Sequence, residues 1–228
     1  GRVHPTEITC LQPTVRLEYD PREGTWSAQR LLEAAGGGGT GPADAEAPTI
    51  RVRQCQIVPI EIIGRLRRPG TTTVWNIVVV PADAQRFRVV FEQQPAGGPQ
   101  QTHGSLLLDA AAGKVSEVEG VVPIGSVASS LPAELHERLE RYGVQGKLRL
   151  RRAEDNGAAG GALEASLEDL SISLPPEEGG LALTGVRGKL VFPEGGQTVL
   201  LSEIAGRVAQ LPGASFTVRG RYDSRDPD

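Results

Sequence analysis

Histidines, carboxylates and cysteines are the side chains in this sequence whose spacing could do chemistry. His4, His103 and His136 are the only histidines in 228 residues, and no His-Glu-x-x-His zinc motif joins them. No Gly-x-Ser-x-Gly elbow is present, which removes the most readable hydrolase signal. Carboxylates fall in close pairs at Glu117/Glu119 and Glu168/Asp169, a spacing that general acid–base catalysis can use. Solvated strand faces carry the same pairs, and surface charge is the simpler reading. The glycine run from Gly36 to Gly39 lacks the Gly-Lys-Ser/Thr that a phosphate loop needs, so it reads as a linker. Cys10 and Cys55 sit in neighbouring strand candidates. They can close one disulfide in an oxidising compartment or serve as small buried apolar groups. Cysteines and histidines are too few for a structural zinc site. The chain is therefore expected to be no enzyme, with no catalytic residue, metal ligand or cofactor assigned.

The elements that carry these residues are strands. Val15, Leu17 and Tyr19 alternate with Arg16, Glu18 and Asp20, and Ile50 and Val52 alternate with Arg51 and Arg53. Phe87, Val89 and Phe91 repeat the pattern, as do Leu148 and Leu150 between Lys147, Arg149 and Arg151. Pro59 interrupts its run, which predicts an edge, a bulge or a break. The stretch Val74–Val80 is apolar on both sides and is expected to be covered on both. Leu163 and Leu167 share one face, but the pattern changes phase before Leu170, so a bulge is expected near Glu168–Asp169. A similar change places one near Thr184–Gly185. Phe216, Val218, Gly220 and Tyr222 alternate cleanly with Thr217, Arg219 and Arg221. Ser27 can cap a short helix, with Trp26 and Leu31 as a hydrophobic staple.

Glycine (29) and proline (17) punctuate the chain while aromatics make up 4%, a composition that reads as all-β with few short helices. One elongated domain over 1–228 is expected, a segment of a larger protein, with a flexible linker at 36–48. An amphipathic helix at 130–143 carries Leu131, Leu135 and Leu139 at a spacing of four and is expected to lie on the sheet as a lid over the doubly apolar strand. The net charge of −4 gives no general attraction to nucleic acid. No apolar run approaches the roughly 20 residues that cross a bilayer. The strand order predicts an antiparallel meander, whose apolar faces have two ways to stay dry. A second sheet can close a sandwich or barrel on them. Otherwise the sheet curves strongly into an open apolar groove that takes a guest.

Gly24, Trp26, Ser27, Leu31 and Leu32, followed by Ile50, Val52 and Arg53, resemble the strand–turn–Gly-x-Trp–Leu-Leu and Ile-x-Val-Arg passages of the AsmA-like envelope proteins of diderm bacteria. Gln54 and Cys55 replace that family's glycine after the arginine. The passage from Leu131 to Leu150 is similar to the family's Leu-Pro-x-Glu-Leu segments, and Leu183 to Asp223 to its glycine-bounded strands. The resemblance implies a taco-shaped β groove that carries phospholipid, or another acyl-chain lipid, between inner and outer membranes. It further implies a periplasmic setting, an inner-membrane anchor and membrane partners reached through regions outside this chain, and no nucleic acid. On that reading Val15, Leu17, Tyr19, Ile50, Val52, Phe87, Val89, Phe91, Leu148, Leu150, Leu163, Leu167, Phe216, Val218 and Tyr222 line the groove. The alternative is a structural or protein-interaction β module with no ligand.

Overall fold

The computed structural model describes residues 5–20, 22, 25–28, 47–83, 85–94, 102–128, 131, 133–152, 162–193 and 198–223. The Leu31 staple and most of the 36–48 linker lie outside them. The strands are β1 (Glu7–Leu11), β2 (Thr14–Asp20), β3 (Thr25–Trp26), β4 (Thr49–Ile63), β5 (Leu66–Pro69), β6 (Thr73–Pro81) and β7 (Arg86–Gln93). They continue with β8 (His103–Asp109), β9 (Lys114–Pro123), β10 (Gln145–Arg151), β11 (Leu163–Ser173), β12 (Ala182–Phe192), β13 (Thr198–Val208) and β14 (Ser215–Asp223). Two short helices, α1 (Ile124–Val127) and α2 (Ala133–Arg141), precede β10.

The fold is all-β, as the punctuation by glycine and proline predicts. One strand path runs β3-β2-β4-β6 and then in chain order to β14, with β1 and β5 paired to β4 beside it. The path has two ends and does not close into a barrel. From β6 onward the order is that of the expected meander. The start is different, because β1 and β2 both pair parallel with β4. The sheet is mixed, which corrects the purely antiparallel expectation. The long connection between Trp26 and Thr49 makes this possible, since a parallel return needs a crossover of a dozen or more residues.

The chain divides into two compact units, Gly1–Ser116 with Ser129–Ala133, and Glu117–Ala128 with Glu134–Asp228. In the first, β4 is the shared strand. Pro59 falls where its neighbour changes, between Ile57, paired to β6, and Ile60, paired to β5. The β6 and β5 ladders both stop short of Pro59, which limits the cost of the N–H that proline lacks, while Leu17 of β2 stays beside it and the Pro59 carbonyl accepts from Gly70 N–H at 2.8 Å. The break expected at Pro59 is therefore a change of partner. β6 departs from expectation, because Val74 through Val79 are only half-buried and Val80 is exposed. Apolar side chains on both faces did not bring full cover.

In the second unit, register shifts interrupt β10, β11, β12 and β13 side by side. Asp169 (φ 54°) and Gly185 (φ 59°) adopt left-handed backbone where the phase changes predicted bulges. Bulges bend strands, so these four bend at one level. Beyond the bend, Ile124, Leu170 and Val186 form a buried cluster, with Leu139 of α2 packed against it. The helix is thus a lid on β11 and β12, a different seat from the one expected over β6.

Candidate functional site

Residues opposite one another in a ladder share a face, and the register sorts every groove residue named from the sequence. In the first unit Val15 stands beside Ile57 and Leu17 beside Pro59 on β4. Ile50 aligns with Val79 and Val89, while Val52 aligns with Ile77 and Phe91. Phe87 pairs with Pro81 two residues further along. Tyr19 pairs with Trp26, and their rings meet at 5.0 Å. Val15, Leu17, Tyr19, Ile50, Val52, Phe87, Val89 and Phe91 therefore share one largely apolar face, which turns polar at its Tyr19 end, where Glu61 stands between Tyr19 and Arg68. These eight residues are half-buried or exposed.

The second unit repeats the arrangement. Leu148 aligns with Leu167, and Leu150 with Ala165, Leu190, Leu201 and Gly220. Leu163 pairs with Phe192, Ile204 with Val218, Gly206 with Phe216 and Val199 with Tyr222. Leu148, Leu150, Leu163, Leu167, Phe216, Val218 and Tyr222 thus lie on one face, with two different surroundings. Leu148, Leu167 and Phe216 pack against the buried cluster beneath α2. Leu150 and Leu163 are half-buried, and Val218 and Tyr222 are 45% and 50% exposed. One part of the face belongs to the protein's own core and the other part is open.

Opposite these faces stand the charged residues, joined across strands. Arg51 reaches Glu7 at 3.0 Å, Arg149 reaches Glu168 at 2.7 Å, Lys189 reaches Glu164 at 3.7 Å and Arg219 reaches Glu203 at 3.0 Å. Such exposed pairs add little to stability, yet they mark the watered side of the sheet. The paired carboxylates also find their roles. Glu168 is held by Arg149, and the accompanying hydrogen bond and charge raise the Arg149 pKa. Glu117 (φ 46°) and Asp169 occupy left-handed positions within strands. Among the described residues no cluster of histidine, cysteine, aspartate or glutamate could hold a metal ion.

Cys10 is exposed and Cys55 is buried, both as free thiols. They do share a face, because Cys10 pairs with Val52, the next residue on the Cys55 side of β4. Burial, then the neighbouring Cys10, pushes the Cys55 thiol above its ordinary range. The disulfide left open by the sequence is not formed. On the charged side, a depression of about 650 Å³ opens over the β4 bulge beside Gln12, Arg53, Gln54 and Asn76. Gln12 Nε2 donates to Gln54 Oε1 at 2.7 Å, and Gln54 N–H to Asn76 Oδ1 at 3.1 Å. These amides tie together the kinks at Gln12 and Gln54. Sequence reading missed them because they meet only through the register shift between Val52 and Cys55.

Fold and site together define an all-β protein of one open mixed sheet with an apolar face in each unit. No protein-family model matches the chain, and neither a curated protein nor a solved structure matches it. No helix among the described residues is long and apolar enough to cross a membrane.

Proposed function

We propose that the chain binds lipid acyl chains on its open apolar sheet faces and, as the AsmA-like resemblance implies, serves phospholipid transfer between the membranes of a diderm cell envelope without catalysing a reaction. The observation that carries this reading is the sorting of faces. Within each unit the residues proposed for the groove share a largely apolar face, the cross-strand ion pairs lie on the opposite face, and part of each apolar face is half-buried or exposed. Each CH₂ removed from water is worth about 0.8 kcal/mol, so an ordinary acyl chain gains on the order of 10 kcal/mol on such a surface. The headgroup stays in water and needs no dedicated pocket.

Gentle purification from a diderm host, followed by organic extraction and mass spectrometry, tests the reading. Stoichiometric phospholipid is the expected result. Val15→Asp and Val218→Asp, at side chains 41% and 45% exposed, leave the fold intact and lower the lipid load at least about fivefold by placing a charge on the acyl path. Protein that emerges free of lipid and takes none from vesicles overturns it. Leu148→Asp is the wrong probe, since Leu148 packs on the core cluster and its loss reads as unfolding. A second reading, a structural β module closed on itself, draws on that same cluster beneath α2. It requires the open half of the face to be covered as well, and Tyr222 at 50% exposure speaks against it.

A further inference from the structure

The hairpin of β4 and β5 runs past the rest of its sheet. On one side of β4 the β2 ladder ends at Glu61, and on the other the β6 ladder ends at Ile57. Beyond Glu61 the rungs Ile62–Arg67 and Ile63–Leu66 join β4 and β5 alone. Gly64 (φ 63°) and Arg65 close them as a two-residue turn, a connection that fixes the register of a hairpin. Both roots of this arm continue into the sheet, one as β4 and the other through Gly70 into β6. The tip is therefore held in a set geometry at the end of the first unit.

Leu66 is 72% exposed, more than any other large apolar side chain among the described residues, and Ile63 opposite it is 48% exposed. Holding both in water does nothing for the fold. Between Ile60 and Gly70 stand Arg65, Arg67 and Arg68 against the single Glu61, in a chain whose net charge is −4. Glu18 engages Arg67 at 2.8 Å, while Arg65 and Arg68 have no ion-pair partner among the described residues. Ile63 and Leu66 lie two residues beyond Glu61 and Arg68, on the face that also carries Tyr19. Next to that rung the half-buried rings of Tyr19 and Trp26 meet at 5.0 Å. Going outward, the face passes from aromatic rings to a charged rung and then to a bare aliphatic tip.

We propose that this tip docks on the surface of an anionic phospholipid membrane. Leu66 and Ile63 enter the boundary between headgroups and acyl chains, and Arg65 and Arg68 meet the phosphates. A rise of about 3.4 Å per residue sets the row of Tyr19 about 7 Å behind the Ile63–Leu66 rung. That is the thickness of the headgroup layer, about 5–8 Å, where amphipathic rings are enriched. A second copy of the chain is a poor occupant, because two aliphatic side chains bury far less than a stable interface needs and the arginines meet their own kind. As the point where acyl chains pass to and from the apolar face, the tip rests on the lipid-binding reading above; as a membrane anchor it does not.

The test is flotation of the full chain with vesicles of phosphatidylcholine alone or mixed equally with phosphatidylglycerol. Binding to the mixed vesicles is expected, weakening as salt is raised, with at least about fivefold less on phosphatidylcholine alone. Leu66→Asp leaves the urea midpoint unchanged and lowers the vesicle partition at least about tenfold. Arg65→Gln and Arg68→Gln each lower it about fivefold, and together they erase the preference for phosphatidylglycerol. Arg219→Gln, in the other unit, leaves it as it was. No binding to the mixed vesicles, equal binding to both kinds, or tip variants that bind like the parent overturn the inference. The lipid extracted from Leu66→Asp stays at the parent level, because Leu66 lies outside the groove residues. Protein that docks without carrying lipid overturns the proposed function alone, and protein that carries lipid without docking overturns this inference alone.

Discussion

A left-handed backbone costs an ordinary L-residue about 1–2 kcal/mol, yet Gln54, Glu117, Asp169 and Glu203 all adopt it inside strands. Each follows an apolar residue by two and precedes another by one, so the bulge returns the chain to the same face one residue late. Asp169→Gly relieves the strain and is expected to raise stability by about 1 kcal/mol. Gly188→Ala drives a Cβ to 2.7 Å from backbone and is expected to cost about 3 kcal/mol. Urea midpoints at unchanged slope read both. One of these kinks was legible in the sequence, at Glu168–Asp169, as was the separate one at Thr184–Gly185, because single apolar residues on either side expose the phase change. At Glu203 the doubled Leu200 and Leu201 hide it. The close approach of Gly146 to Leu170 lies beyond any sequence pattern, since it depends on register between strands.

Alternation made strands such as β2, β7, β10 and β14 readable, because a sheet with one apolar face fixes its own register. Parallel pairing of β1 and β2 with β4 left no such mark: the side-chain period is the same whichever way the neighbour runs. The seat of α2 was equally hidden, since an apolar stripe says that a helix is covered and not by what. Leu139 meets the Ile124, Leu170 and Val186 cluster, while Arg141 reaches Glu177 and Glu178 at 3.2 and 2.9 Å on the outside. Leu139→Asp both empties a contact and places a charge against it, so a loss of about 3 kcal/mol is expected. Arg141→Ala removes only half-exposed ion pairs, and less than about 1 kcal/mol is expected. Equal losses from the two variants in urea unfolding would mean that the helix is held by its charges and leaves the apolar cluster closed without it.

At the scale of the molecule, an apolar face in each unit gives the lipid reading a thermodynamic signature that needs no knowledge of the lipid. A ligand that binds only the folded chain stabilises it by RT ln(1 + [L]/Kd), about 2.7 kcal/mol at a hundredfold excess over Kd. For a chain of this size that is roughly 5–10 °C in Tm. If burial of CH₂ groups supplies the affinity, two added carbons tighten binding by about 1.6 kcal/mol, or roughly fifteenfold. Single-chain amphiphiles of ten, twelve and fourteen carbons, each held below its micelle concentration, should therefore raise Tm in steps with chain length. Exchanging a zwitterionic for a maltoside headgroup should leave the steps in place, because the head remains in water. Val218→Asp should flatten them while lowering the ligand-free Tm only slightly. Amphiphiles that lower Tm, or shifts that follow the headgroup and ignore the tail, would mean that the open half of each face binds no hydrocarbon, and the structural-module reading would take its place.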